Sequence, residues 1–140
     1  MKEEAILKAA KKLFSKFGFK KVSMDEIARE AGVTKKTVYA NFSSKEDLLN
    51  ELIKYELKSM KNEFESIENK SDDFFEGIEQ GLISLLVFRK KNNLFKVLFE
   101  EAEVLRNKSL VNSIKFIEKD VINYISEKLN KAQKKRIYCF

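Results

Sequence analysis

The segment VSMDEIAREAGVTKKTVYANFSSKEDLL, from Val22 to Leu49, constrains the fold more than any other part of the chain. Ser23 is followed three residues later by Glu26, which is the spacing of a capping box. In that motif the serine hydroxyl and the glutamate each satisfy a free amide of the first helical turn. A helix is therefore predicted from about Met24 to Gly32, because glycine takes the left-handed conformation that ends a helix without a side-chain clash.

A second short helix follows this glycine almost directly. Thr34 can cap it, and the helix is predicted to run to about Asn41. Ser44 can then cap the next helix, which is the fourth helix of the chain. Two helices joined by so few residues must cross steeply, which is the geometry that leaves one of them free to enter a DNA major groove.

Lysines occupy helix starts where they are locally unfavourable. Lys35 and Lys36 lie in the first turn of the second helix, and Lys45 lies in the first turn of the next. The positive end of a helix dipole disfavours each cation by a few tenths up to about 1 kcal/mol. Such a conflict indicates a functional constraint, and an approaching phosphate would remove it. The alternative is that these are ordinary solvated lysines.

A longer motif surrounds these positions. The residues AILKAAKKLFSKFGF are followed by VSMDEIAREAGVTKKTVYANFSSKEDLLNELI. Together they combine an IA..AGV turn, a Thr-x-x-Thr-x-Tyr-x-x-Phe helix and a Ser-Lys-Glu-x-Leu segment in fixed order. On these residues the chain resembles the DNA-binding domain of the TetR family of transcriptional regulators. Lys36 stands where glycine is common in the family, and Ala40 and Asn41 fill variable positions, so no relative's base preference can be copied.

The resemblance implies an all-α fold with two domains. Residues 1–47 would form a three-helix helix-turn-helix DNA-binding domain, and a long fourth helix would join it to a helical ligand-binding and dimerisation bundle at 48–140. The implied function is that of a sequence-specific transcriptional regulator, a repressor released from its operator by a small-molecule effector. Its partners would be a double-stranded DNA operator with an inverted repeat, an unidentified small hydrophobic effector and a second copy of the chain, with no cofactor. The alternative is a helical protein-interaction module that has kept the fold and lost specific DNA binding.

The resemblance also assigns DNA contacts. Tyr39 would direct its hydroxyl to a phosphate, while Val38 and Phe42 turn inward. Base-edge contacts specify the sequence, while phosphate contacts position the domain. Lys36 is the first candidate for a base-edge contact, to the acceptor edge of a guanine. For Tyr39 the alternative is a half-buried packing residue. The full set of predicted DNA-binding residues is Ser23, Thr34, Lys35, Lys36, Thr37, Tyr39 and Lys45.

Apolar residues at helical spacing predict the remaining helices. A first helix is expected from about Lys2 to Phe17, with one apolar stripe on Ile6, Ala10, Leu13, Phe14 and Phe17. The fourth helix carries its stripe on Leu49, Ile53, Leu57, Met60, Phe64 and Ile67. Because it belongs to both halves, this helix is expected to transmit ligand binding to the DNA-binding domain.

Three more helices are predicted beyond residue 70. The fifth is capped by Ser71, and the sixth covers about 94–106. The seventh runs from Ser109 to about Leu129, with an apolar seam on Leu110, Ile114, Ile117, Val121, Ile125 and Leu129.

Aromatic residues of the second half are candidates for a hydrophobic effector pocket. The alternative is that they are ordinary core, which is the commoner role of aromatic residues at helical spacing. The predicted pocket residues are Met60, Phe64, Phe75, Phe88, Phe95, Phe99 and Phe116.

Composition argues against catalysis and against a membrane span. The chain has no histidine and a single cysteine, Cys139, so it offers neither a thiolate–imidazole pair nor a histidine metal site. The carboxylates of Glu100, Glu101 and Glu103 are expected to form a solvated helix face.

The net charge is +6, with 11 basic and 7 acidic residues among the first fifty, which agrees with a nucleic-acid partner. No apolar stretch approaches the roughly 20 residues of a membrane span and no signal peptide is visible, so a cytoplasmic protein is expected.

The C-terminal sequence departs from the family pattern. Members usually continue past a seventh helix with two more that form a four-helix dimer interface, whereas this sequence stops at residue 140 after NKAQKKRIYCF. A naturally short chain, a truncated one and pairing through other surfaces stay open. The apolar tip behind the basic residues is expected to be a frayed end or a small docking segment, in preference to a nonspecific DNA contact. Those basic residues are Lys128, Lys131, Lys134, Lys135 and Arg136.

Overall fold

The computed structural model describes residues 2–139, and the side chains of residues 2–136. All the regular secondary structure of these described residues is α-helix, with no strand, which confirms the predicted all-α class. None of these helices is long and apolar enough to cross a membrane. The helices are α1 (Lys2–Phe17), α2 (Met24–Ala31), α3 (Lys35–Asn41), α4 (Lys45–Lys70), α5 (Phe74–Lys91), α6 (Asn93–Leu105) and α7 (Lys108–Cys139).

The helices group into two compact units. Unit 1 contains the chain up to Tyr55 together with Asn92–Ile114, and unit 2 contains Glu56–Lys91 together with the chain from Lys115 onwards. The unit that holds α1, α2 and α3 therefore also takes in α6 and the first turns of α7. The predicted domain division between residues 47 and 48 stays a prediction.

The core of unit 1 is built on the inner face of α1. Ile6, Ala10 and Phe14 are fully buried there, as the apolar spacing predicts. The predicted stripe is wrong at its end, where Phe17 is 49% exposed. Gly18 ends the helix at that point, and the next residue, Phe19, takes the inner place with its ring centroid 5.4 Å from that of Phe14.

The core of unit 2 depends on a close approach of α4 and α5. Phe64 of α4 is fully buried, and a Cβ atom added at Gly81 would lie 2.7 Å from its ring. One turn earlier in α5, a Cβ at Gly77 would lie 2.7 Å from the carbonyl oxygen of Glu68. Only glycine fits at either place, so this pair sets how near the two helices come.

Helix α7 is longer than predicted and presents a different seam. It continues to Cys139, and Leu129 is 49% exposed, so the predicted seam is wrong at that position. Tyr124 and Lys128 are buried instead. Long polar side chains can bury their apolar part while the polar tip finds a partner, which an apolar-spacing rule does not anticipate.

Tyr124 and Lys128 of α7 both reach partners on α4. The Lys128 ammonium lies 2.8 Å from the Glu68 carboxylate and 5.1 Å from the centroid of the Phe64 ring. The Tyr124 hydroxyl lies 3.5 Å from a Glu65 carboxylate oxygen. Burial, followed by the charges of the nearby glutamates, raises the pKa of Tyr124 well above its ordinary value of 10.0. Lys128 is thus not part of a free basic cluster, and the predicted apolar tip lies outside the described side chains.

The start of α5 differs from the prediction by two residues. The side chain of Asp73 accepts a hydrogen bond from the Phe75 amide at 3.1 Å, so Asp73 caps the helix. Ser71, the predicted cap, donates its hydroxyl to the Asp73 carbonyl oxygen. Ser71 therefore stabilises the turn before the helix.

Candidate nucleic-acid interface

The start of α2 is held by the predicted capping box. The Ser23 hydroxyl accepts a hydrogen bond from the Glu26 amide at 3.1 Å, and the Ser23 amide donates to the Glu26 carboxylate at 3.3 Å. At the other end, Gly32 is left-handed with φ of 72°. Both predicted ends of α2 are confirmed, and they fix the angle at which the chain enters the turn.

Helix α3 begins at its predicted cap. The Thr34 hydroxyl oxygen accepts a hydrogen bond from the Thr37 amide at 3.1 Å and lies 2.9 Å from the Thr37 hydroxyl. The Asn41 side-chain amide donates to the Thr37 carbonyl at 2.8 Å. Thr34 and Thr37 therefore stabilise the helix in the free protein, and each hydroxyl keeps part of its hydrogen-bonding capacity.

The two faces of α3 differ sharply in exposure. Val38 is fully buried and Phe42 is 4% exposed, which confirms their predicted inward orientation. Lys36 is exposed, and Tyr39 is 46% exposed although it is a large aromatic residue. Helix α3 is capped, and its inner face is buried. The Tyr39 hydroxyl and the neighbouring lysines are on its exposed face, which suits contact with a phosphate backbone.

Lys35 makes a weak contact within the same unit. Its ammonium lies 3.2 Å from the Asp25 carboxylate, and more than half of each side chain is exposed. The same ammonium lies 6.0 Å from the centroid of the Tyr39 ring. Exposed ion pairs contribute at most about 1 kcal/mol, so a phosphate can displace Asp25 at little cost.

Lys45 is bound by the protein itself. Its ammonium donates to the carbonyl oxygens of Phe19, Lys20 and Val22, at 2.8, 3.3 and 3.1 Å. It also lies 4.3 Å from the centroid of the Phe19 ring. An ammonium has three N–H donors, so these carbonyls compete with the predicted phosphate contact of Lys45, which stays a prediction.

Glu101 is the residue of this region that sequence reasoning missed. The prediction of a solvated face is wrong for Glu101, because its carboxylate accepts hydrogen bonds from the amides of Phe19 at 2.9 Å and Lys20 at 3.2 Å. Glu101 lies one position before buried Ala102 and three after buried Leu98, at the edge of the inner face of α6. This edge position is the one feature of the sequence that indicates partial burial of Glu101. No local pattern identifies a hydrogen-bond partner 82 residues away.

Comparison with known proteins places this geometry in a family. Residues 6–52 match the family model for bacterial regulatory proteins of the tetR family. Over 128 residues the chain is 33% identical to YhgD of Bacillus subtilis, an uncharacterised helix-turn-helix transcriptional regulator. The alignment covers 91% of this chain and 67% of that relative. This chain belongs to the TetR family.

Other relatives of this TetR-family chain are longer than the chain itself. It covers 48% of the helix-turn-helix regulator SAB2452 of Staphylococcus aureus, at 32% identity over 64% of its own length. The family and the relatives of this chain are DNA-binding transcriptional regulators, and none of the names reported above describes an enzyme.

Solved structures agree with the fold. A TetR-family regulator from Syntrophomonas wolfei has a TM-score of 0.79 at 20% identity, covering 97% of this chain and 70% of the other. The fatty acid degradation regulator FadR from Bacillus halodurans has a TM-score of 0.70 at 24% identity, with coverages of 96% and 69%. At these identities the likeness shows the TetR fold alone.

The predicted effector-pocket residues divide between the two units. Phe95 and Phe99 of unit 1 stack with their centroids 6.4 Å apart, while Phe64 is packed beneath Gly81 in unit 2. Phe75 is 40% exposed and Phe116 is 47% exposed, so neither is enclosed within its own unit. Met60 is buried and Phe88 is partly buried in unit 2. The pocket stays a prediction.

Proposed function

We propose that this TetR-family chain is a sequence-specific, operator-binding repressor that reads DNA with α3. Lys35, Lys36 and Thr37 would contact base edges or flanking phosphates, and the Tyr39 hydroxyl would bind a phosphate. Ser23 and Thr34, at the caps of α2 and α3, would contribute further backbone contacts. As a regulator of bacterial genes it would act in the cytoplasm.

The observation that carries the proposal is the contrast between the two faces of α3. Val38 packs the helix against the core with no exposed surface, while its neighbour Tyr39 is 46% exposed. Fully burying a large apolar side chain is favourable by roughly 1.5–3 kcal/mol, so covering the exposed part of Tyr39 would add about half of that amount. Contact with DNA would cover that ring.

The proposal includes a homodimer and an effector. Members of this family typically act as dimers, and two copies of α3 would read half-sites of an inverted repeat separated by about one turn of DNA or a multiple of it. A small hydrophobic effector bound among the aromatic residues would lower operator affinity. By linkage, operator DNA would lower effector affinity by the same factor.

Selection of bound sequences from a random duplex pool, at two salt concentrations, tests the proposal. We expect enrichment of an inverted repeat, since a symmetric dimer selects a symmetric site. Salt-sensitive binding without enrichment, or no binding, would contradict sequence-specific recognition. Either result would favour the alternative of an interaction module that has lost specific DNA binding.

Two substitutions on α3 separate the predicted roles. Tyr39→Phe removes one hydroxyl and should weaken binding about tenfold for every sequence, as expected for a lost hydrogen bond to a charged phosphate. Lys36→Gln should instead broaden the selected sequence at one position of each half-site. Lys58→Gln, at an exposed position of α4, is the charge-matched control and should change neither property.

A further inference from the structure

The loop between α1 and α2, residues 18–22, is held by two side chains from distant parts of the chain. Glu101 of α6 accepts hydrogen bonds from the amides of Phe19 and Lys20. Lys45 of α4 donates hydrogen bonds to the carbonyls of Phe19, Lys20 and Val22. Both side chains belong to unit 1, and together they satisfy five backbone groups that no helix or strand pairs.

The surroundings of the loop make these bonds consequential. Phe19 is 3% exposed and Val22 is 1% exposed, so the loop is fixed to the core on either side of its polar groups. Burial lowers the pKa of the Lys45 ammonium below its ordinary value of 10.5, while Glu46 and Glu101 oppose that shift. The bond from the Phe19 amide to Glu101 is partly buried, so it is costly for this amide to lose its acceptor.

Gly18 is shaped to admit the Glu101 carboxylate. Its φ is 85°, and an added Cβ would lie 2.7 Å from a carboxylate oxygen of Glu101. Gly32 also has a positive φ, of 72°, but an added Cβ there would meet no atom within 4 Å. The two glycines therefore share a left-handed backbone and differ in their contact with Glu101.

We propose that Glu101 is a positioning residue for DNA binding, through which α6 fixes the loop that leads into α2. The loop ends at Val22, and the next residue is Ser23, the cap of α2 and a predicted phosphate contact. Displacing the carboxylate would loosen this loop, while the capping box still holds the first turn of α2, and so would loosen the orientation of the helix-turn-helix. The inference rests on the proposed function, because its readout is operator affinity.

The test compares the wild type, Glu101→Gln and Glu101→Ala on the duplex obtained by selection. A glutamine offers one side-chain acceptor oxygen and an alanine none, so operator affinity should fall in that order, by about tenfold or more for alanine. Hydrogen exchange at the Phe19 and Lys20 amides should accelerate in the same order. Exchange in α3 should stay slow, which separates a positioning effect from global unfolding.

Charge-matched controls exist on the same helix. Glu100→Gln and Glu103→Gln change the net charge equally at exposed positions of α6 and should leave operator affinity unchanged. If the Glu101 variants bind the operator as tightly as these controls, the inference is overturned while the proposed function stands. If the wild type binds no specific duplex, both are overturned.

A second measurement tests the contact independently of DNA. Glu101→Ala should lower the free energy of unfolding less in a Gly18→Ala background than in a Gly32→Ala background, because the new methyl group at residue 18 already displaces the carboxylate. Equal losses in the two backgrounds would contradict the contact on which the inference depends.

Discussion

At the scale of single residues, the Lys45 ammonium is the clearest case of competition between fold and partner. Three carbonyl oxygens lie within 3.3 Å of it, which matches its three N–H donors. A DNA phosphate could bind Lys45 only by replacing at least one of them. The structure therefore supports an indirect role for this lysine, through the loop that it holds.

Salt dependence distinguishes the two roles of Lys45. Lys45→Met should weaken DNA binding for all sequences by about tenfold, because the loop before α2 loses its donors, and should leave the slope of log affinity against log salt unchanged. In the proposed dimer, a lysine that binds a phosphate directly would lower the magnitude of that slope by about 1.8 when replaced, because each copy contributes about 0.9. Titration of the selected duplex at several salt concentrations measures the slope, and a fall of that size would contradict the indirect role.

Local residue chemistry explains which site features could be predicted. The Ser23–Glu26 capping box and the left-handed Gly32 lie within ten residues of one another, so the sequence itself carries their geometry. Glu101 could not be assigned in this way, because its partners Phe19 and Lys20 lie more than 80 residues earlier. A surface glutamate and a glutamate binding backbone amides have the same local sequence pattern.

At the scale of helices, the pairing of α4 with α5 depends on residues that lack side chains. Gly77 and Gly81 lie one turn apart on α5, against the backbone of Glu68 and the ring of Phe64. Glycine is disfavoured inside helices by about 1 kcal/mol relative to alanine. Its presence at both positions is explained by the close approach of the two helices.

Gly81→Ala should therefore lower the stability of the protein, although alanine has a higher helix propensity than glycine. The new Cβ would lie 2.7 Å from the Phe64 ring, which is fully buried and has little room to move. We expect the free energy of unfolding to fall by about 1–3 kcal/mol, as measured by urea denaturation. Gly81→Ala should cost less in a Phe64→Leu background, because the smaller side chain leaves room for the new Cβ. A rise of about 1 kcal/mol in the single variant would show that propensity dominates and the packing argument fails.

Helix α7 shows why apolar spacing alone predicts a buried face incompletely. The rule favours Leu129, which is exposed, and overlooks Tyr124 and Lys128, which are buried. Both overlooked residues lie against α4, where Glu65 and Glu68 receive their polar tips. Their burial depends on charges contributed by another helix, and α7 by itself carries no sign of them.

At the scale of the whole molecule, helices are not grouped by their order in the chain. Helix α6 follows α5 in sequence but belongs to the compact unit of the helix-turn-helix. Leu94 and Leu98 of α6 are fully buried in that unit, and the Asn93 side chain donates to the Ser15 carbonyl of α1 at 2.9 Å. The unit that holds the helix-turn-helix is thus completed by residues from the second half of the sequence.

Leu98→Ala should consequently destabilise α1 as well as α6. A cavity at this fully buried position should cost about 2–5 kcal/mol and accelerate hydrogen exchange of α1 amides. Val104→Ala, at a position of α6 that is 79% exposed, is the control and should change stability by no more than about 0.5 kcal/mol. Faster exchange confined to α6 would contradict the grouping of α6 with α1.

The loop between α1 and α2 also limits how this sequence can diverge. Two of its amides bind Glu101 and three of its carbonyls bind Lys45, and these two side chains reach the loop from two other helices. Inserting or deleting a residue between Gly18 and Val22 would shift every one of these pairs at once. Descendants of this chain can therefore vary the exposed residues of the loop, such as Lys21, far more freely than they can vary its length.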